Sequence, residues 1–260
     1  MKVVNEFYDI DEVRLEVQII KQPKYLNIKE TLVLLHEGLG CVEMWKSWPM
    51  TLASKIKVNL VVYSRIGMGK SSAEKKNKKI DFMNYEALHY LPKLVESYCD
   101  ENPYLYGHSD GASISLIYAG NNLPCKALIL EAPHVIVEDI TIKEITKLKK
   151  GWQNSYAKEK LSKYHNDADR LFSSWSNVWL SNDFSKWNIL SLINNISCPM
   201  LLIQGDKDQY GTIKQLNLIK KHSKGKVFVN IINNCRHSPH LEFPNLVVDY
   251  SNDFIQNIRK

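Results

Sequence analysis

Short runs of β-branched and apolar residues, each bounded by turn residues, recur along the chain. They predict strands at residues 14–20, 31–35, 59–63, 104–106, 127–130, 200–203 and 227–232. Between the later runs, apolar residues recur at three- and four-residue spacing, as in residues 82–98, which indicates amphipathic helices. Strands that alternate with helices predict an α/β fold with a mainly parallel, doubly wound sheet, and the earliest strands favour an antiparallel start.

The alternation breaks between residues 135 and 190, where no strand pattern is found. The segment is helix-like, and its lysines and serines are interspersed with Trp152, Trp175, Trp179 and Trp187. We predict that residues 135–190 form a helical cap inserted into a core of residues 1–134 and 191–260. Open α/β sheets bind ligands at their carboxyl edge, so a cap there would cover the ligand site. Its tryptophans either line an apolar pocket or pack the cap itself.

The composition changes this picture little. With 260 residues, 44% hydrophobic and 24% charged, the chain has the composition of a soluble globular protein. It has no apolar run near the roughly 18 residues of a membrane helix. Five scattered cysteines without a C-x-x-C motif, and a start without an apolar leader, predict reduced thiols and a cytoplasmic location.

The charge of the chain also bears on its partners. The formal net charge is +6, but the lysines are spread along the sequence, which predicts neither a nucleic-acid nor a membrane partner. An acidic carrier protein that docks on the lysines of residues 143–150 and 158–163 is a minor alternative to a solvated surface.

The candidate chemistry begins at Gly107-His-Ser-Asp-Gly111, which fits the pattern G-x-S-x-G. In that pattern a serine nucleophile stands on a sharp turn between a strand and a helix. A predicted strand precedes this segment and helix-like residues 112–119 follow it, as the pattern requires. The glycines leave room for the neighbouring chain at a strained turn. Ser109 is therefore the candidate nucleophile, and a turn serine that caps a helix is the alternative.

A nucleophilic serine needs a base, and the base needs a carboxylate that orients it. Two later strands run into suitable loops, Gln204-Gly-Asp-Lys-Asp208 and Asn233-Asn-Cys-Arg-His237. The neighbours of the serine are less suitable, because adjacent side chains rarely face one another. We expect the His108 side chain to point away from the turn. Asp110 would contribute its backbone N–H, while its carboxylate interacts favourably with the dipole of the following helix.

Five segments in order resemble the landmarks of the α/β-hydrolases over essentially the whole chain. They are His36-Glu-Gly-Leu-Gly40, Ser64-Arg-Ile-Gly-Met-Gly-Lys-Ser71, the segment around Ser109, Gly205-Asp-Lys-Asp208 and His237-Ser-Pro-His240. The resemblance implies the α/β-hydrolase fold with an inserted helical cap. It also implies a triad of Ser109, Asp208 and His237, in which Asp206 and Glu131 are alternative acids and His240 is the rival base.

The resemblance further implies that an oxyanion is held by the backbone N–H groups of Asp110 and Gly38. Glu37 stands where most relatives have glycine, which leaves Leu39 as an alternative to Gly38.

The activity implied is that of a serine hydrolase. Such an enzyme cleaves a small ester, thioester, lactone or amide through an acyl-enzyme on Ser109, and we expect it to need no metal or cofactor. Its partner would be a small-molecule acyl substrate. Lyase, carbon–carbon-cleaving and peroxidase-like relatives keep the same triad, and a ligand-binding receptor on this scaffold is the alternative from another class.

Overall fold

One eight-stranded sheet forms the centre of the computed structural model, which describes residues 1–260. The strands are β1 Lys2–Ile10, β2 Val13–Lys21, β3 Thr31–Leu35, β4 Asn59–Tyr63, β5 Tyr104–His108, β6 Ala127–Glu131, β7 Met200–Gly205 and β8 Val227–Ile232. Their order in the sheet is β1-β2-β4-β3-β5-β6-β7-β8. Strand β2 pairs antiparallel with β1 and β4, and all other pairs are parallel. The predicted mainly parallel sheet with an antiparallel start is confirmed.

Helices cover both faces of this sheet. They are α1 Trp48–Ile56, α2 Phe82–Tyr85, α3 Leu91–Tyr98, α4 Asp110–Gly120, α5 Asp139–Gly151, α6 Tyr156–Leu161, α7 Ala168–Trp179, α8 Leu190–Ile193, α9 Ile213–His222, α10 Pro239–Glu242 and α11 Pro244–Arg259. In β3, Leu32 and Leu34 belong to the core beneath α1 and α11, whereas Val33 and Leu35 belong to the core beneath α3, α4 and α9. Both faces are buried because side chains alternate along a strand.

Two sequence expectations differ from the structure. The hydrophobic pattern does not reveal β1, because most of its residues are exposed and its place depends on main-chain pairing with β2. The helix predicted over residues 82–98 is interrupted by a π-helical segment, Glu86–Tyr90. Pro92 lacks the N–H that a regular helix would bond to Leu88, and Leu88 is 44% exposed instead of facing the core.

Helices α5 to α8 connect β6 to β7, and no strand lies among them. An isolated antiparallel bridge between Ile136 and Asn188 joins the two ends of this connection. The division of these helices from the core as a separate cap stays a prediction; we refer to them below as the cap helices. None of the helices in the chain combines the length and apolar character needed to span a bilayer.

Candidate active site

The turn between β5 and α4 holds Ser109 in an unusual backbone conformation, with φ of 54° and ψ of −117°. Positive φ is uncommon for a residue with a side chain and stores strain. The two flanking glycines allow the close packing around it. A Cβ at Gly107 would lie 2.3 Å from the carbonyl oxygen of Gly111, and one at Gly111 would lie 2.1 Å from that of Leu35. This geometry presents Ser109 at the carboxyl edge of the parallel strands.

The loops after β7 and β8 bring two further predicted residues to Ser109. His237 Nε2 lies 3.0 Å from Ser109 Oγ, and His237 Nδ1 lies 2.8 Å from Asp208 Oδ1 and 3.0 Å from Oδ2. Asp208 Oδ1 also accepts the backbone N–H of Tyr210 at 2.8 Å. With the proton on Nδ1 donated to Asp208, Nε2 is free to accept the proton of the serine.

Electrostatics in this group favour an ionised acid and a basic imidazole. Burial lowers the pKa of His237, but the charge and hydrogen bond of Asp208 outweigh it and hold that pKa above its usual range. Burial raises the pKa of Asp208, but His237 and the Tyr210 N–H hold it below its usual range. Asp208 therefore stabilises the charged form of His237.

The alternative acids and base lie elsewhere. Asp206 is an exposed residue, and its carboxylate lies 3.8 Å from the Lys207 ammonium. Glu131 is fully buried at the end of β6, where its Oε2 lies 2.8 Å from His240 Nδ1 and accepts the Tyr106 hydroxyl at 2.9 Å. His240 therefore contacts Glu131 instead of the serine, and neither alternative acid reaches His237.

The structure gives His108 contacts that the sequence does not predict. Its side chain is buried, and its Nε2–H donates to the backbone carbonyl of His237 at 2.8 Å. Burial lowers the pKa of His108 to about 4, so the ring is neutral at physiological pH and its Nδ1 has no partner. The reason is tertiary: the loop after β8 crosses the end of β5, and His108 ties that loop in place.

The expectation for the Asp110 side chain is incomplete. The residue is 1% exposed, and its carboxyl does more than face the start of α4. Its Oδ2 accepts the indole N–H of Trp175 from α7 at 2.9 Å, while its Oδ1 has no partner. Burial raises the pKa of this carboxyl. A partner 65 residues away explains why the sequence around Asp110 gives no sign of the contact.

Three backbone N–H groups beside Ser109 make no hydrogen bond within the chain, those of Asp110, Gly38 and Leu39. The loop after β3 is held by His36, whose Nδ1–H donates to the Glu37 carbonyl at 2.7 Å. Burial keeps the pKa of His36 well below its usual range, so the ring is neutral and its Nε2 accepts a backbone N–H. Free N–H groups next to a nucleophile can stabilise an oxyanion. The choice of Gly38 over Leu39 stays a prediction.

A cavity of about 280 Å³ lies above Ser109, between the sheet and the cap helices. Its lining includes the Trp175 and Trp179 indoles together with Ile145, Leu148 and Leu161, and also His134. The other two tryptophans pack within the cap helices. The Trp152 ring stacks on Phe172 with centroids 3.8 Å apart, and the Trp187 ring stacks on Phe184 at 5.3 Å. The cap tryptophans thus divide between the two roles considered from the sequence.

His108, Glu131 and His240 are the one group of potential metal ligands in the structure, with ligand atoms within 4.8 Å of one another. Both Glu131 oxygens already accept hydrogen bonds, from His240 and Tyr106, and His108 Nε2–H is bonded to a carbonyl. These bonds account for the cluster as a hydrogen-bonded network that supports the neighbouring loops.

Comparison with known proteins gives the following matches. A family model for the α/β-hydrolase fold matches residues 30–163. A search of curated proteins finds no significant match. A membrane phospholipase A described as a bacterial virulence factor is similar in structure, with a TM-score of 0.78 and 16% identity over 99% of this chain and 87% of that one.

Two further solved structures resemble the chain. An α/β-hydrolase fold protein from Chitinophaga pinensis has a TM-score of 0.76 and 13% identity over 96% of each chain. Proline iminopeptidase from Mycobacterium smegmatis has a TM-score of 0.73 and 15% identity over 98% of each chain. At these identities the likeness concerns the fold alone.

Proposed function

The chain belongs to the α/β-hydrolase fold family, and from that premise we propose that it is a serine hydrolase that forms an acyl-enzyme on Ser109. The observation that carries this proposal is the unbroken hydrogen-bonded line from Ser109 Oγ to His237 and on to Asp208, with distances of 3.0 and 2.8 Å. Ser109 and His237 lie in the wall of the cavity beneath the cap helices. A serine that merely capped α4 would not need a buried histidine and carboxylate aligned with it.

The proposed reaction begins when His237 Nε2 takes the proton of Ser109 as Oγ attacks the substrate carbonyl. Asp208 keeps the imidazole in the required tautomer and stabilises its protonated form. The N–H groups of Asp110 and Gly38 receive the negative charge on the carbonyl oxygen, each worth about 3 to 4 kcal/mol of barrier. The proton then passes from Nε2 to the leaving group, and water cleaves the acyl-enzyme by the same steps.

The cavity supports a substrate with a small, largely apolar acyl group. Its volume of about 280 Å³ and its tryptophan, leucine and isoleucine walls favour such a group. Esters, thioesters, lactones and amides of that kind are the proposed substrates.

The test is covalent labelling of the folded protein by a fluorophosphonate, followed by steady-state turnover of p-nitrophenyl esters that differ in chain length and charge. We expect wild type to label and turn over, and Ser109→Ala to do neither. Ser115→Ala is the matched control, because this buried serine only bonds the Gly111 carbonyl within α4. Absence of labelling in folded wild type contradicts the proposal, and labelling without turnover favours a receptor.

A further inference from the structure

One hydrogen bond connects the cap helices directly to the residue that follows the candidate nucleophile. The Trp175 indole N–H, on α7, donates to Asp110 Oδ2 at 2.9 Å. Both residues are buried, and both also line the cavity above Ser109. We call this hydrogen bond the cap latch.

A third element meets the cap latch at Gly38, in the loop that follows β3. A Cβ built on Gly38 would lie 2.3 Å from Trp175 Nε1 and 2.9 Å from Asp110 Oδ2. Gly38 has no positive φ, so the backbone conformation does not require glycine there. Glycine is required because the latch occupies the space of a side chain. The loop is therefore in van der Waals contact with the latch.

The latch is also the only hydrogen bond that the Asp110 carboxyl makes. Its other oxygen, Oδ1, is buried without a partner. Without the indole N–H the whole carboxyl would be buried and unpaired, which is costly. The observed bond fixes the separation of α7 from the start of α4, and Gly38 lies against both partners.

We propose that Asp110 and Trp175 are positioning residues that, through the cap latch, hold the Gly38 N–H in place to receive the oxyanion formed at Ser109. This inference rests on the proposed serine-hydrolase function. The oxyanion develops only as the carbonyl is attacked, so a displaced Gly38 N–H weakens the transition state more than substrate binding. A loosened latch therefore lowers kcat more than it changes KM.

The first test removes the indole N–H of Trp175 and keeps an aromatic ring at that position. We expect Trp175→Phe to lower kcat roughly tenfold, with KM changed less than about threefold. Trp152→Phe is the matched control, because the Trp152 indole N–H also donates to an aspartate, Asp169, at 2.6 Å. That bond lies within the cap helices and away from the cavity. Trp152→Phe should keep kcat within about twofold, and equal losses in the two variants would overturn the proposal.

The second test changes the acceptor. Asp110→Ala should lower kcat about as much as Trp175→Phe, and Asp110→Asn, which keeps an acceptor oxygen, should restore it to within about threefold of wild type. The double variant Asp110→Ala with Trp175→Phe should be no slower than the slower single variant, because both remove one contact. Additive losses in folded protein, checked by thermal unfolding, contradict the latch.

Nuclear magnetic resonance separates failure of the latch from failure of the enzyme. In ¹⁵N-labelled protein, Asp110→Ala should move the indole N–H resonance of Trp175 and the amide resonance of Gly38, while Trp152→Phe leaves both in place. If wild type lacks turnover, the proposed function fails, and these shifts still decide whether the latch holds the loop. If the Trp175 indole and Gly38 amide resonances do not move in Asp110→Ala, the proposed role of the latch is overturned.

Discussion

Two carboxylate–histidine pairs lie at the same edge of the sheet, and they differ in what each histidine contacts. Asp208 contacts His237 and Glu131 contacts His240, each through Nδ1 at 2.8 Å. The histidines are only three residues apart in the chain. His237 Nε2 reaches Ser109 Oγ at 3.0 Å, whereas the His240 ring packs against the Trp45 and Trp48 indoles, with centroids 4.7 and 5.4 Å away. His237 thus places its second ring nitrogen against a serine hydroxyl, whereas the His240 ring packs among tryptophans.

The surroundings of the two carboxylates, Glu131 and Asp208, also differ. Burial raises the pKa of Glu131, but His240 outweighs burial and holds that pKa below its usual range. Glu131 is thus an ion with no access to solvent, held by His240 and the Tyr106 hydroxyl. Asp208 is buried as well, but its partner His237 lines the cavity beside Ser109. We infer that the Glu131 pair supports the fold and that the Asp208 pair supports the reaction.

The largest effect that would separate the pairs is expected from Asp208→Asn. The amide donates to Nδ1 and so favours the tautomer with its proton on Nε2, which cannot accept the proton of Ser109. We expect kcat/KM for a p-nitrophenyl ester to fall about 10⁴-fold. Circular dichroism should show unchanged secondary structure. Activity near that of wild type would remove Asp208 from the proposed triad.

Glu131→Gln should affect stability where Asp208→Asn affects activity. The amide NH2 of glutamine cannot accept a hydrogen bond, so buried donors of His240 and Tyr106 lose an acceptor, and the free energy of unfolding should fall by about 2 kcal/mol in urea titrations. At a temperature where the variant stays folded, kcat/KM should stay within about tenfold of wild type, because His237 keeps its own acid. A loss as large as that of Asp208→Asn would make Glu131 part of the reaction.

The pH profile provides a smaller and more graded comparison. In the proposed mechanism the neutral form of His237 is the base, so kcat/KM should rise as pH passes its pKa, which lies above the usual value of 6.5. Asp208 contributes more than Glu131 to this upward shift. In an NMR titration of His237, Asp208→Asn should therefore lower the midpoint further than Glu131→Gln does. The opposite order would show that the second pair governs the base.

The sequence predicts local features of this fold and site well. Strands β3 and β4 lie where the apolar runs indicate, because a strand buried inside the sheet needs a continuous apolar segment. The turn at Ser109 is predictable from the glycines on either side of it, because this strand–turn–helix arrangement requires them. The second pair joins residues 109 positions apart, and the cap latch joins Asp110 to Trp175. No local pattern encodes such contacts, since they depend on how distant segments pack.

The smallest effect is expected from Asp206→Asn, which sharpens the choice between the two aspartates of the same turn. Asp206 is exposed and contacts only Lys207, at a distance at which screening leaves little energy. We expect kcat/KM within about twofold of wild type and a free energy of unfolding within about 0.5 kcal/mol, measured beside Asp208→Asn. The two variants make the same chemical change two residues apart, so a general effect of lost charge would appear in both. The contact of Asp208 with His237 predicts a large loss of kcat/KM in Asp208→Asn and almost none in Asp206→Asn. A tenfold loss in Asp206→Asn would contradict this prediction.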